Sequence, residues 1–258
     1  MRYTQGKYLI TEKKTIAKGM FDLTILCPEI AEIAQAGQFV HAAAEGFLLR
    51  RPISICDISR EKGTIRILFE ARGAGTEKLS QSNSGDFIDL IAPLGRGFKL
   101  LDPAKKAICI GGGIGTPPML AVAKHYGKNA MVISGFRTAG LTILQEDYAA
   151  AGAQTILCTD DGTAGIKGRV TEGLLSCLAQ GKPDVIYACG PTVMLKAVTE
   201  LAIKNDIFCQ VSLEQRMGCG VGACLVCACK IKRGNDEYYA HVCQDGPVFD
   251  CKEVRFDG

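Results

Sequence analysis

The sequence predicts a multidomain α/β protein: an N-terminal antiparallel β-barrel, a central parallel α/β sheet, and a small cysteine-rich C-terminal domain. Three observations predict it. Residues 1–101 carry six short stretches of strand character, separated by Gly, Pro and Asp turn signals. Residues 102–208 alternate short apolar runs with helical stretches. The remainder, 209–258, is dense in cysteine: six of the chain's 13 fall within residues 219–258.

In the first part, strands are expected over residues 7–17, 21–26, 38–43, 52–58, 64–71 and 86–91, with a short helix over 76–81. Six strands at this spacing suit a closed barrel. In the second part, strands are expected at 106–110, 130–134, 154–158 and 184–188, each followed by a helix, at 116–125, 142–151, 170–179 and 192–204. Repeated β–α alternation with short links makes a parallel sheet covered on both faces. Ligands of such sheets bind at the carboxyl ends of the strands. The third part contains a hairpin, 229–233 with 237–242, turning at Gly234-Asn235.

Composition narrows the class. At 47% hydrophobic and 22% charged the chain can build a packed core, which excludes disorder. A net charge of +3 is too small to argue for nucleic acid or an anionic membrane. No apolar run approaches the roughly 18 residues that span a bilayer, and the N-terminus lacks the apolar core of a signal peptide. The expectation is a soluble, cytoplasmic protein. A disulfide scaffold does not fit a chain of this size with an odd cysteine count.

Several stretches carry candidate chemistry. Arg51-Pro52-Ile53-Ser54 offers a guanidinium for phosphate and a hydroxyl for a ring nitrogen, although an exposed basic residue before an edge proline is the plainer reading. Gly75 and Thr76 precede a short helix, where free N–H groups suit an anion or a simple cap. Gly111-Gly112-Gly113-Ile114-Gly115-Thr116 follows a predicted strand and opens a helix, the order of a dinucleotide site. Thr116 stands where the usual fingerprint has its last glycine. Cys189-Gly190-Pro191 ends the fourth strand of this part, with Cys189 either facing a nicotinamide or fitted into a tight strand end. Asp160 and Asp161, after the third strand, suit ribose hydroxyls and so NAD rather than NADP, although Asp-Asp-Gly is also ordinary turn chemistry.

The tail holds the most specific signal. Cys219, Cys224 and Cys227 have the C-x4-C-x2-C spacing of plant-type [2Fe–2S] ligands. Structural zinc tends to use two C-x2-C knuckles instead. Glycines 218, 220 and 222 leave backbone N–H groups free to face cluster sulfurs. For the fourth ligand Cys243 competes with Cys229 and Cys251. Such a cluster passes single electrons, so the rest of the chain must supply or remove them. The three histidines, at 41, 125 and 241, sit in no recognisable catalytic pattern and read as structural.

Together these motifs resemble the ferredoxin–NADP reductase superfamily, in which a barrel binds FAD through Arg-x-x-Ser and an α/β domain binds the nicotinamide nucleotide. Residues 213–224 (Leu213 through Cys224), with His241-Val242-Cys243 and the stretch to Phe249, closely resemble the family of electron-transfer subunits of type B, NAD-dependent dihydroorotate dehydrogenase. The resemblance implies a flavin on Arg51, Pro52, Ile53 and Ser54. It implies that Leu68, Phe69 and Glu70 lie on the FAD strand, with Gly75 and Thr76 at the pyrophosphate. It assigns the cluster to Cys219, Cys224, Cys227 and Cys243. It also implies an FMN-containing catalytic partner, two copies of each in a heterotetramer, and NAD⁺ as acceptor in pyrimidine (UMP) biosynthesis. The subunit of a ferredoxin-dependent transhydrogenase or sulfide dehydrogenase would share fold and cofactors. An Asp in place of one cluster cysteine would favour it, and all four positions here are Cys. A zinc-stapled nucleotide-binding regulator is the non-enzymatic alternative.

Overall fold

The structure is a computed structural model that describes residues 2–256. Six antiparallel strands close the N-terminal barrel: β1 Thr4–Ala17, β2 Met20–Leu26, β3 Phe39–Ala42, β4 Arg51–Ser59, β5 Thr64–Glu70 and β6 Phe87–Leu94. Their order around the barrel is β1-β2-β5-β4-β3-β6. Alternation puts Ile10, Leu23, Ile25, Ile55, Ile65, Ile67 and Leu90 inside. Each such side chain contributes about 1.5–3 kcal/mol by leaving water.

Two helices belong to this part. Helix α1, Pro28–Ile33, was not expected, although Pro28 in its first turn and Glu29 beside it are ordinary start signals. Helix α2, Ala74–Leu79, lies two residues ahead of the expected 76–81. Thr76 therefore sits inside its first turn, where its Oγ1 accepts from the N–H groups of Arg72 and Gly73.

The α/β part is a seven-stranded sheet. Its strands are β7 Ala107–Gly112, β8 Ala130–Phe136, β9 Gln154–Thr159, β10 Ile166–Lys167, β11 Val185–Cys189, β12 Phe208–Ser212 and, after a later hairpin, β15 Val248–Asp250. The order is β10-β9-β8-β7-β11-β12-β15, with only β15 antiparallel. All five residues of β11 are buried, as a strand covered on both faces requires. Helices α3 Met119–Tyr126, α4 Gln145–Ala150, α5 Val170–Gln180 and α6 Thr192–Lys204 cover it. Helix α3 starts three residues later than expected, because Pro117 and Pro118 occupy the turn ahead of it. Two strands, β12 and β15, come from the stretch read as cysteine-rich tail. The tail also forms the expected hairpin, β13 Ala228–Arg233 with β14 Asp236–His241.

The parts pack on one another. Leu68 follows the alternation of β5 to the barrel's outer face, where it is buried with Cys109, Met119 and Tyr187 of the α/β part. Arg66 of β5 pairs with Asp22 at 2.6 Å and with Asp147 on α4. Lys124 on α3 pairs with Asp57 on β4. Among the described residues no helix is long and apolar enough to cross a membrane.

Candidate flavin, nucleotide and cluster sites

The barrel opens where β4 and β5 part. Their ladder ends at Ile55 opposite Ile67. Beyond it Arg51, Pro52, Ile53 and Ser54 pair only with β3, and Leu68, Phe69 and Glu70 only with β2. Both strands thus present free backbone edges to a slot between them. Arg51 stands at its mouth. Its guanidinium lies over the Phe47 ring, 5.3 Å from the centroid, and packs so closely on Gly75 that a Cβ there would meet Nε at 2.2 Å. The structure therefore joins two segments that the sequence offered separately. Leu68, Phe69 and Ile53 turn their side chains into the protein, which leaves their backbone for any ligand. Arg51 spends one guanidinium nitrogen, Nη1, on the Leu49 and Arg50 carbonyls, and among the described residues no protein partner takes Nε or Nη2. That cation, free ladder edges and a glycine-lined helix start fit a flavin dinucleotide.

Next to this slot is a cleft of about 550 Å³. The barrel contributes Met20, Glu70 and Arg72, and the α/β part contributes the loops after β7, β8, β9 and β11. This is the carboxyl edge of the sheet, as expected. Gly112, Gly113, Gly190 and Pro191 line it. The two glycine loops touch: a Cβ on Gly115 would lie 2.4 Å from the Cys189 carbonyl oxygen, and one on Gly190 would lie 3.1 Å from the Gly112 nitrogen. Gly111, Gly115, Thr116 and Cys189 are buried behind the wall. Burial pushes the Cys189 thiol up to about 12, so it is a packed neutral group. Sequence reasoning missed Glu214, Arg137 and Arg169, which also line the cleft. Glu214 is solvent-exposed yet enclosed by the concave wall, and that partial desolvation raises its carboxyl above the ordinary value. The signal that could have pointed there is the carboxyl end of β12 at Ser212, two residues before Glu214.

The cysteine loop brings its thiols together in pairs. The Val221 and Ala223 N–H groups point at the Cys219 sulfur, 3.4 and 3.2 Å away. The Cys219 N–H meets the Cys224 sulfur at 3.3 Å, and the Gly222 N–H meets the Cys243 sulfur at 3.2 Å. Cys227 and Cys243 sulfurs are 3.2 Å apart. Gly220 and Gly222 make this wrapping feasible through φ values of +74° and +85°. Burial alone would raise the Cys219 thiol, but the N–H groups aimed at it outweigh burial and bring it down to about 7. The rival cysteines lie elsewhere. Cys229 is buried on β13, and Cys251 lies across from Cys209, to whose carbonyl its N–H donates at 2.9 Å. Two thiol pairs, Cys219 with Cys224 and Cys227 with Cys243, with backbone donors aimed at their sulfurs, carry the donor set of an iron–sulfur cluster.

A slotted barrel, a nucleotide cleft on a parallel sheet and a cluster loop define an electron-transferring flavoprotein with a ferredoxin-reductase-like fold. Solved structures share that fold. A ferredoxin NADP⁺ reductase from Neisseria gonorrhoeae with bound FAD and NADP superposes with TM-score 0.63 at 19% identity, covering 79% of this chain and 92% of that one. The structure described as the NADH-dependent reduced ferredoxin-NADP oxidoreductase superposes with TM-score 0.85 at 29% identity, covering 97% and 90%. Residues 214–255 match the family described as the iron–sulfur cluster binding domain of dihydroorotate dehydrogenase B. The dihydroorotate dehydrogenase B (NAD⁺) electron transfer subunit of Bacillus caldolyticus is 42% identical over 253 residues, 95% of this chain and 96% of that protein. That of Caldanaerobacter subterraneus subsp. tengcongensis is 40% identical over 222 residues, 85% and 87% of the two chains. The chain belongs to the family of dihydroorotate dehydrogenase B (NAD⁺) electron transfer subunits.

Proposed function

We propose that this chain delivers the electrons of dihydroorotate oxidation to NAD⁺ in pyrimidine (UMP) biosynthesis. It works in the cytoplasm beside an FMN-containing catalytic subunit, in a heterotetramer of two copies of each. The observation that carries the reading is the assembly of flavin slot, nicotinamide cleft and four-cysteine loop in one chain of this family. When bound, a [2Fe–2S] cluster exchanges single electrons and FAD exchanges either one electron or a hydride pair.

The protein's own work is placement. Arg51 binds the FAD phosphates, held at the right depth by Gly75, while Ser54 and the free edges of Leu68–Glu70 orient the isoalloxazine ring. Gly75 and Thr76 receive the pyrophosphate. Gly112 and Gly113 let the NAD backbone approach, Gly190 and Pro191 flank the nicotinamide, and Gly111, Gly115, Thr116 and Cys189 shape that wall from behind. Cys219, Cys224, Cys227 and Cys243 hold the cluster. The partner docks on the exposed tip of the cluster loop, where Leu225 and Val226 are 64% and 56% exposed next to exposed Cys224.

The test is co-purification with the FMN subunit, then anaerobic assay of orotate formation with NAD⁺ as acceptor. A stable complex forming no orotate rejects the assignment. The transhydrogenase reading draws on the 29%-identical structure. It predicts instead a complex with a larger subunit of that system and no orotate.

A further inference from the structure

His41 in β3 is fully buried, and neither ring nitrogen has a hydrogen-bond partner among the described residues. A buried polar group left unpaired costs about 1–3 kcal/mol, so such groups are normally satisfied. The carbonyls of Cys219 and Arg50 lie near the ring, but neither meets it with hydrogen-bond geometry.

Two contacts define where the ring stands. Across the β3–β4 ladder His41 is directly opposite Pro52, inside the Arg51–Ser54 stretch. On its other side is the cysteine loop. A Cβ on Gly220 would lie 2.6 Å from His41 Nδ1 and 3.1 Å from its Cγ. Gly220 sits between Cys219 and Val221, whose N–H points at the Cys219 sulfur. One imidazole thus touches the strand that forms the flavin slot and the loop that gathers the thiols. A side chain needed only for packing at this place would be apolar, since that fills the same space without the unmade bonds.

We propose that His41 is a positioning residue that ties the cluster loop to the flavin strand, its ring N–H donating a hydrogen bond to the sulfur side of the bound iron–sulfur centre. The inference rests on the reading of Cys219, Cys224, Cys227 and Cys243 as the [2Fe–2S] ligands. Donors outside the ligand set fix a centre's orientation and tune its potential. This donor comes from a different part of the fold than the ligands do, so it makes cluster tuning dependent on how barrel and loop meet.

The experiment compares the holoprotein with His41→Leu, which keeps bulk, and His41→Gln, which keeps a donor. Iron, sulfide and FAD contents are measured first. Stopped-flow mixing with NADH then follows FAD and cluster absorbance separately, and EPR records the reduced cluster. His41→Leu is expected to keep FAD reduction at the parental rate, shift the cluster's EPR signal and slow cluster reduction about ten-fold. His41→Gln recovers most of that loss. In unsubstituted protein grown with ¹⁵N-histidine, pulsed EPR of the reduced cluster should show a ¹⁵N coupling that disappears in His41→Gln. That measurement decides the matter even if His41→Leu fails to fold. Parental EPR and cluster kinetics in His41→Leu, or a ¹⁵N coupling unaltered by His41→Gln, overturn the proposal alone. A parent with FAD but neither iron nor sulfide overturns the cluster reading and this proposal with it.

Discussion

Replacing Gly75 by alanine separates binding from stability. The new Cβ would lie 2.2 Å from Arg51 Nε and Nη2. Carbon contacts settle at about 3.5 Å, so the guanidinium must retreat by roughly 1.3 Å. A hydrogen bond of about 2.9 Å does not survive such a displacement. Losing a charge-assisted bond to phosphate costs about 1.5–3 kcal/mol, which is roughly a ten- to hundred-fold weaker FAD complex. The apoprotein should respond the other way. Gly75 lies inside α2 with no positive φ, and alanine is better there by about 0.5–1 kcal/mol. The apoprotein melting temperature should therefore rise by at most about 2–4 °C. The assay is FAD titration of deflavinated protein by fluorescence quenching, with thermal unfolding of the same preparation. Unchanged FAD affinity would refute the phosphate role of Arg51. A fall of several degrees would make Gly75 a packing position.

Three further outcomes are expected. Cys224→Ser should abolish the [2Fe–2S] absorbance yet retain NADH oxidation by artificial acceptors at FAD, since none of the cluster cysteines lines the nucleotide cleft; a flavin assay with iron analysis reads this. Asp160→Ser should raise kcat/KM for NADP⁺ about ten-fold and lower it for NAD⁺, because Arg137 and Arg169 line the same cleft and could then receive a 2′-phosphate. Arg66→Met should destabilise the fold by about 3–5 kcal/mol in urea at neutral pH, because Asp22, 4% exposed, loses its countercharge. Burial already raises the Asp22 carboxyl even against Arg66. The folded state of the variant therefore binds a proton more tightly than the unfolded chain, and its deficit should shrink as pH falls and Asp22 becomes neutral.

What the sequence made legible was local. Alternation announced the six barrel strands, and β–α rhythm announced the sheet, because each strand carries its own apolar face. The cysteine loop was readable because ligand spacing is itself the geometric requirement. What escaped was whatever depends on two distant segments meeting. The splaying of β4 from β5 is a property of register, which neither strand encodes alone. The depth of Cys189 and Thr116 depends on how the two glycine loops pack on each other. In sequence His41 is an ordinary strand histidine, and its contact with Gly220 exists only in the fold. Strand β12 is only five residues long and is buried along four of them, so it carries no period-2 signal that marks it as a strand.

The way the tail returns explains why the cluster loop can have a fixed relation to the flavin slot. Strand β15 pairs antiparallel with β12 and covers what would be the sheet's open edge. Immediately before it, Pro247 seats on Gly95 at the end of β6, where a Cβ would meet Pro247 Cδ at 2.4 Å. The Leu213 N–H donates to the Pro247 carbonyl at 2.9 Å, and the Arg96 N–H donates to that of Gly246. The segment carrying Cys243 is thus pinned by main-chain bonds to the sheet and the barrel at once. From the other end, the loop carrying Cys219 rests on His41. Both ends of the thiol set are therefore held by strands of the slot-bearing barrel or its neighbouring sheet, not by a linker. Sites mounted on such elements keep their geometry better than sites on free loops. A subunit whose task is to hold electron carriers at fixed separations needs that rigidity more than it needs any acid or base.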